Sequence, residues 1–254
     1  MGTIVPQRKT PPSPDASSAH DIRNGLRFAS IADDLDAEYG PFVLRPDREP
    51  LDQLIATILS QHTSDANTAR SWASLRERFP TWEAVIAARP EEVADAIRMG
   101  GLANQKAPRI QGVLEEIQER TGGFDLGFLA DLPLDEAKAW LTSLHGVGAK
   151  TAACVLLFAL GRPAQPVDTH VHRLALRIGL VPPRTPPERC ENILERLLGD
   201  NPQTTYAAHK GLIAHGRAIC LARAPRCPIC ILKDRCDYYA NNADHLPDRN
   251  HDAD

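Results

Sequence analysis

The chain has 254 residues, of which 43% are apolar, 24% charged and 5% aromatic, enough for one large or two small domains with a real core. No run of about 18 apolar residues occurs, which excludes a membrane-spanning helix, and the opening MGTIVPQRKTPPSPDASSAH lacks the apolar stretch of an export signal. A formal charge of −4, from 29 Lys and Arg against 33 Asp and Glu, excludes a polycation that coats nucleic acid but leaves room for a local basic patch.

Residues 1–20, dense in Pro, Ser and Thr, read as a disordered tail, and the polar stretch 239–254 as a flexible one. Between them apolar residues recur at helical spacing and alternating strand patterns are missing, so the expected fold is all-α. Leu51, Leu54, Ile55, Ile58 and Leu59 form the first stripe. Thr81 is placed to cap the next, which begins with Trp82, Val85 and Ile86. A third covers 91–99 and stops at Gly100-Gly101. Further stripes follow over 107–120, 135–144, 149–160, 169–180 and 188–198.

Two of these stripes are joined by Leu144-His145-Gly146-Val147-Gly148-Ala149-Lys150-Thr151. Neither a P-loop nor a dinucleotide fingerprint fits, because the required glycines are absent and no strand precedes the turn. What remains is helix, tight Gly-Val-Gly turn, helix. Gly146 and Gly148 remove side chains where a ligand backbone could approach closely. The free N–H groups opening the second helix form an anion site suited to a phosphate. Lys150 stands in that helix's first turn, where a cation opposes the dipole by roughly 0.3–1 kcal/mol. Local stability does not account for it; the helix's positive end disfavours the ammonium form, the direction an amine nucleophile needs, with a surface lysine as the alternative.

Asp168 follows 18 residues later in Pro166-Val167-Asp168-Thr169-His170-Val171-His172-Arg173. It sits where an N-cap belongs. A carboxylate facing an amine also suits a reaction that passes through a cationic sugar.

Cys220, Cys227, Cys230 and Cys236 give C-x6-C-x2-C-x5-C within 17 residues. Four thiols so close can encircle one metal centre, and the compact run with a single x2 pair fits a [4Fe–4S] cluster better than the two knuckles of structural zinc, its alternative. Cys154 and Cys190 fall on helical stripes as buried apolar residues. From residue 205 to 236 six basic residues, Arg223 and Arg226 among them, face one acid, so the segment carries +5 and the remainder −9. That polarity offers cations to a phosphate backbone.

Taken in order, LHGVGAKTA, VDTHVHR and the four-cysteine run resemble the endonuclease III family of helix-hairpin-helix DNA glycosylases, over about 51–238. The resemblance implies two helical lobes with a DNA cleft between them. One is a six-helix barrel, 43–162, containing the hairpin; the other combines 21–42 with 163–238 and holds the [4Fe–4S] cluster. It further implies Lys150 as nucleophile, Asp168 as its assistant, and Gly146, Val147 and Gly148 on the DNA. Gln61 resembles the residue that fills the hole left by a flipped nucleotide, and Leu102 the apolar wedge that opens the stack. The implied activity is excision of oxidised pyrimidines from duplex DNA, followed by strand cleavage at the abasic site, by a monomer in the cytoplasm at the bacterial nucleoid. A non-catalytic DNA-binding module and a monofunctional glycosylase are the rivals. The chain departs from the family pattern where Leu59-Ser60 abuts Gln61 directly and where His145 replaces a proline.

Overall fold

A computed structural model of the chain describes residues 15–242, with side chains from 23 onward. Residues 1–14 and 243–254, the larger parts of the two expected tails, lie outside the described residues. The inner parts of both tails are helical instead: α1 begins at Asp15, directly after the last proline of the N-terminal run, and α12 extends to Asn242.

Among the described residues the fold has twelve α-helices and no strand, as the periodicity predicts. None of these helices is long and apolar enough to cross a membrane. The first lobe is built from α2 (Pro50–Leu59), α3 (Asp65–Arg78), α4 (Trp82–Ala87), α5 (Pro90–Ala96), α6 (Ala103–Thr121), α7 (Leu134–Thr142) and α8 (Ala149–Phe158). That is seven helical segments where six were expected. The extra one is α3, which buries only Ser71 and Leu75 and so carries no apolar stripe in the sequence. Thr81 caps α4 as expected, its hydroxyl accepting the Ala84 N–H at 3.2 Å. Leu54, Ile55 and Ile58 of α2 meet Ile110, Leu114 and Ile117 of α6 in one fully buried core. Helix α8 runs through this lobe with every residue from Thr151 to Leu157 buried.

The second lobe packs α1 (Asp15–Tyr39) against α10 (Pro187–Leu198) and α11 (Pro202–Ala218), with α9 (Thr169–Ile178) on α11 and α12 (Asp237–Asn242) on α9. Phe28, Ile31 and Leu35 of α1 share its core with Val171 and Leu174 of α9 and Leu212 of α11. Gly211 allows the close crossing of α1 and α11, since a Cβ there would stand 2.7 Å from the Leu35 Cβ. Two devices hold the lobes together. Gln203 donates to Phe42 O and accepts from Leu44 N. Lys138 of α7 pairs with Glu191 and Glu195 of α10.

Candidate active site

Lys150 and Asp168 come from different lobes and line one cleft, together with Gln61, His62, His170 and Arg217. Lys150 is half-buried in the first turn of α8. Asp168 caps α9: its Oδ1 accepts the N–H groups of His170 at 2.9 Å and Val171 at 2.8 Å. The cap fixes the carboxylate toward the cleft and leaves Oδ2 outside these bonds. One turn along α8, the buried Cys154 thiol is pushed up by burial and drawn back by the Lys150 ammonium beside it. At the cleft mouth Arg217 reaches across the lobes to Asp65 at 3.3 Å, both largely exposed, a pairing worth little in stability.

His209 lies behind this pair, fully enclosed, its Nδ1–H donating to Pro166 O at 3.0 Å. Burial pushes the imidazole down to about 4, against the pull of the Asp168 carboxylate, so the ring is neutral in the folded protein. A depressed folded value means its stabilisation is complete above the ordinary 6.5 and is lost as pH falls from there toward 4. Tm is therefore expected to fall across that window, by up to about 1.4 kcal/mol of stability per pH unit for this group. His209→Asn should flatten part of that slope in melts taken against pH. A variant profile as steep as the parent's would assign the acid sensitivity elsewhere.

The hairpin divides its work among its residues. Gly146 has φ +78, and a Cβ there would meet Arg109 Nε at 2.7 Å, so this glycine answers to the protein's own packing rather than to a ligand's approach. The Val147 side chain is buried in the first core and its N–H is spent on Leu144 O at 3.0 Å. Gly148, in contrast, is surrounded by open space where a Cβ would stand. The Gly148, Ala149 and Lys150 N–H groups at the start of α8 have no hydrogen-bond acceptor among the described residues, the arrangement that receives an anion.

Gln61 is held on the floor of the cleft. Its Oε1 accepts from Arg109 Nη1 at 2.8 Å, and its Nε2 stands 3.5 Å from Thr151 Oγ1. Leu102 projects from the N-terminus of α6, 46% exposed and in the left-handed region at φ 52. It lines a separate hollow with Asp95 and Arg98 rather than the cleft of Lys150. Arg109 and His209 were not foreseen from sequence, and Arg217 only as one of the six basic residues of 205–236; each looks like an ordinary helix residue until its partner, far away in the chain, is known.

At the end of the second lobe all four cysteines, Cys220, Cys227, Cys230 and Cys236, line one apolar cavity with Arg177. Among the described residues no three His, Cys, Asp or Glu side chains stand close enough to share a single metal ion. Four cysteines lining one cavity supply the thiol set that an iron–sulfur cluster takes. Donors already face them: Arg177 Nη1 to Cys220 Sγ at 3.4 Å, Leu232 N to Cys230 Sγ at 3.4 Å, and His215 Nε2 near Cys230 Sγ at 3.2 Å. Burial pushes the Cys230 thiol up to about 11, so metal charge is what would hold it as a thiolate. Arg177 also binds Leu221 O and Ala222 O and stacks on Tyr238, fastening the loop to α9. Arg223 and Arg226 stand exposed on this loop, Arg226 leaning on Ala218 O at 3.4 Å.

A hairpin-opened helix bearing a lysine, opposed across a cleft by a capping aspartate and backed by a four-cysteine loop, defines a class. Residues 55–199 match the family model described as HhH-GPD superfamily base excision DNA repair protein, and the chain belongs to that superfamily. It is 37% identical over 192 residues to endonuclease III of Thermotoga maritima, covering 75% of this chain and 84% of that one. It is 40% identical over 188 residues to endonuclease III of Rickettsia conorii, covering 74% and 84%. A solved endonuclease III trapped as a covalent intermediate with DNA superimposes with TM-score 0.71 at 29% identity, covering 86% of this chain and 98% of that one. Within the superfamily, the chain is a member of the endonuclease III family.

Proposed function

We propose that this chain is a monomeric bifunctional DNA glycosylase and abasic-site lyase acting on oxidised pyrimidines in duplex DNA. The observation that carries it is Lys150 and Asp168 facing one cleft between the two lobes. We take those lobes as 43–162 and 21–42 with 163–238. A damaged nucleotide leaves the stack at a cost of a few kcal/mol, least for a lesion, and enters that cleft. The deprotonated Lys150 amine attacks C1′ as the C1′–N bond to the base breaks, and Asp168 stabilises the positive charge that develops on the sugar and takes up the lysine proton. Ring opening gives a Schiff base to Lys150. Loss of a C2′ proton then expels the 3′ phosphate by β-elimination, and water releases the enzyme. The open N–H groups at Gly148, Ala149 and Lys150 are suited to a backbone phosphate beside the lesion.

Cys220, Cys227, Cys230 and Cys236 would hold a [4Fe–4S] cluster. Its contribution is to brace the loop that offers Arg223 and Arg226 to DNA, and no step of the reaction passes through it. Purified protein is expected to be yellow-brown and to contain iron and sulfide; a colourless protein with stoichiometric zinc would overturn the assignment.

Borohydride trapping tests the whole reading. Duplexes carrying thymine glycol, dihydrouracil or an abasic site are expected to yield a covalent adduct and a nicked strand. Base release without nicking would make the protein a monofunctional glycosylase. Lesion binding with neither adduct nor release would make it a binding module.

A further inference from the structure

Helices α2, α8 and α11 each run from the Lys150 cleft toward a second hollow behind it. Ser60, Lys150 and Arg217 mark their cleft ends. Toward their other ends Gln53, Phe158, Tyr206 and Lys210 line the rear hollow, a cavity of about 230 Å³. Arg45, Asp47 and Arg48, from the segment between α1 and α2, complete its wall. Lys150 and Phe158 stand at opposite ends of α8, separated by about 12 Å of helix. The proposed reaction makes no use of this rear hollow.

Its walls are charged without being paired. Arg45, Asp47 and Lys210 are exposed and make no hydrogen bond or ion pair among the described residues. Arg48 lies over the Trp72 ring at 5.2 Å, which leaves its N–H groups without an acceptor among those residues. Three cations against one carboxylate repel one another around a concave surface, where their field is focused. Arg45 and Arg48 carry planar forks that match phosphate oxygens, and Lys210 adds a point charge. The deeper wall is aromatic: Phe158 and Tyr206 meet edge to face, with centroids 5.8 Å apart. Both are half-buried, and the Tyr206 hydroxyl has no hydrogen-bond partner among the described residues. Burial, and then the Asp47 carboxylate, push that phenol up, so it remains an O–H donor. We infer that the rear cavity binds a phosphate monoester carried on an aromatic base, as in a nucleoside 5′-monophosphate. The phosphate sits among Arg45, Arg48 and Lys210, and the base lies against Tyr206 and Phe158. Such a ligand touches both lobes, Gln53 and Phe158 in the first and Tyr206 and Lys210 in the second, so its binding stabilises their docking.

The test uses the full-length protein without duplex DNA, so its failure leaves the glycosylase reading standing. Titration calorimetry with adenosine 5′-monophosphate is expected to show saturable binding, with inorganic phosphate weaker and adenosine undetectable. Arg45→Gln and Lys210→Gln, at exposed positions where the fold is little affected, should each weaken nucleotide binding about tenfold. Asp47→Asn should tighten it about threefold, since it removes a carboxylate from beside the anion. Tm should rise with nucleotide in the parent and not in the Arg45→Gln, Lys210→Gln double variant. Lys150→Gln and Arg217→Gln, which discharge the cleft, should bind the nucleotide as the parent does. A 5′-phosphorylated oligonucleotide that binds more tightly than the mononucleotide, with the same response to the variants, would support the site and make a strand end the source of its phosphate. Absence of saturable binding, equal binding by Arg45→Gln and Lys210→Gln, weaker binding by Asp47→Asn, or a loss confined to the cleft variants would overturn the inference.

Discussion

Lys150→Gln is expected to bind lesion-bearing duplex DNA but to give no borohydride-trapped adduct, and to cleave an abasic strand at least about 10⁴-fold more slowly than the parent. Glutamine keeps most of the side chain's length, so packing against Cys154 and the cleft wall changes little. What disappears is the amine in the cleft that the proposed reaction uses to form an imine with the sugar. A general loss of electrostatic attraction would act differently. Removing one charge weakens DNA binding by about one phosphate contact's worth, visible as a shallower salt dependence. It does not abolish a covalent product. Residual trapping of the variant at more than a few per cent of the parent would move the nucleophile to another amine and leave Lys150 as a cation near the phosphates.

The helices with one apolar stripe were visible in the sequence because burial on one face imposes the 3.6-residue period. Helix α3 escaped because it buries only Ser71 and Leu75. In α11 the inward positions include His209, Gly211, His215 and Gly216, so its face is shaped by close approach and hydrogen bonding rather than by aliphatic residues. The site was legible to a similar degree. Lys150 was visible as an anomaly, a cation in a helix's first turn, and Asp168 as an ordinary N-cap whose further role came from the resemblance. Four cysteines in one short run announced a shared centre. Arg109 was invisible, because its contact with Gln61 spans 48 positions and follows no local pattern. Which of the adjacent Gln61 and His62 side chains turns inward is decided by Arg109 and by the backbone at His62, and neither is written in the local sequence.

Lys138→Ala is expected to destabilise the protein by about 3–5 kcal/mol, a fall in Tm of roughly 6–20 °C for a chain of this size. Burial alone would lower the Lys138 ammonium, but Glu195 and Glu191 together outweigh it and hold it raised. Its Nζ lies 2.5 Å from Glu195 Oε1 and 3.0 Å from Glu191 Oε1, with all three side chains at most 15% exposed. Removing the cation leaves two carboxylates close together and poorly solvated, which is the costly way to break a buried pair. Lys138→Met with Glu191→Gln and Glu195→Gln should recover much of the loss, since no unpaired charge then remains. Position matters as well as energy. Glu195 Oε1 also accepts the Gln165 N–H at 2.8 Å, three residues before Asp168, so the clamp anchors the segment that brings the carboxylate up to Lys150. Lys138→Ala should therefore lower the rate of adduct formation even at a temperature where it is fully folded, and Lys138→Arg should preserve it. A variant that melts as the parent does would mean that the Lys138 clamp contributes nothing measurable to holding the lobes together.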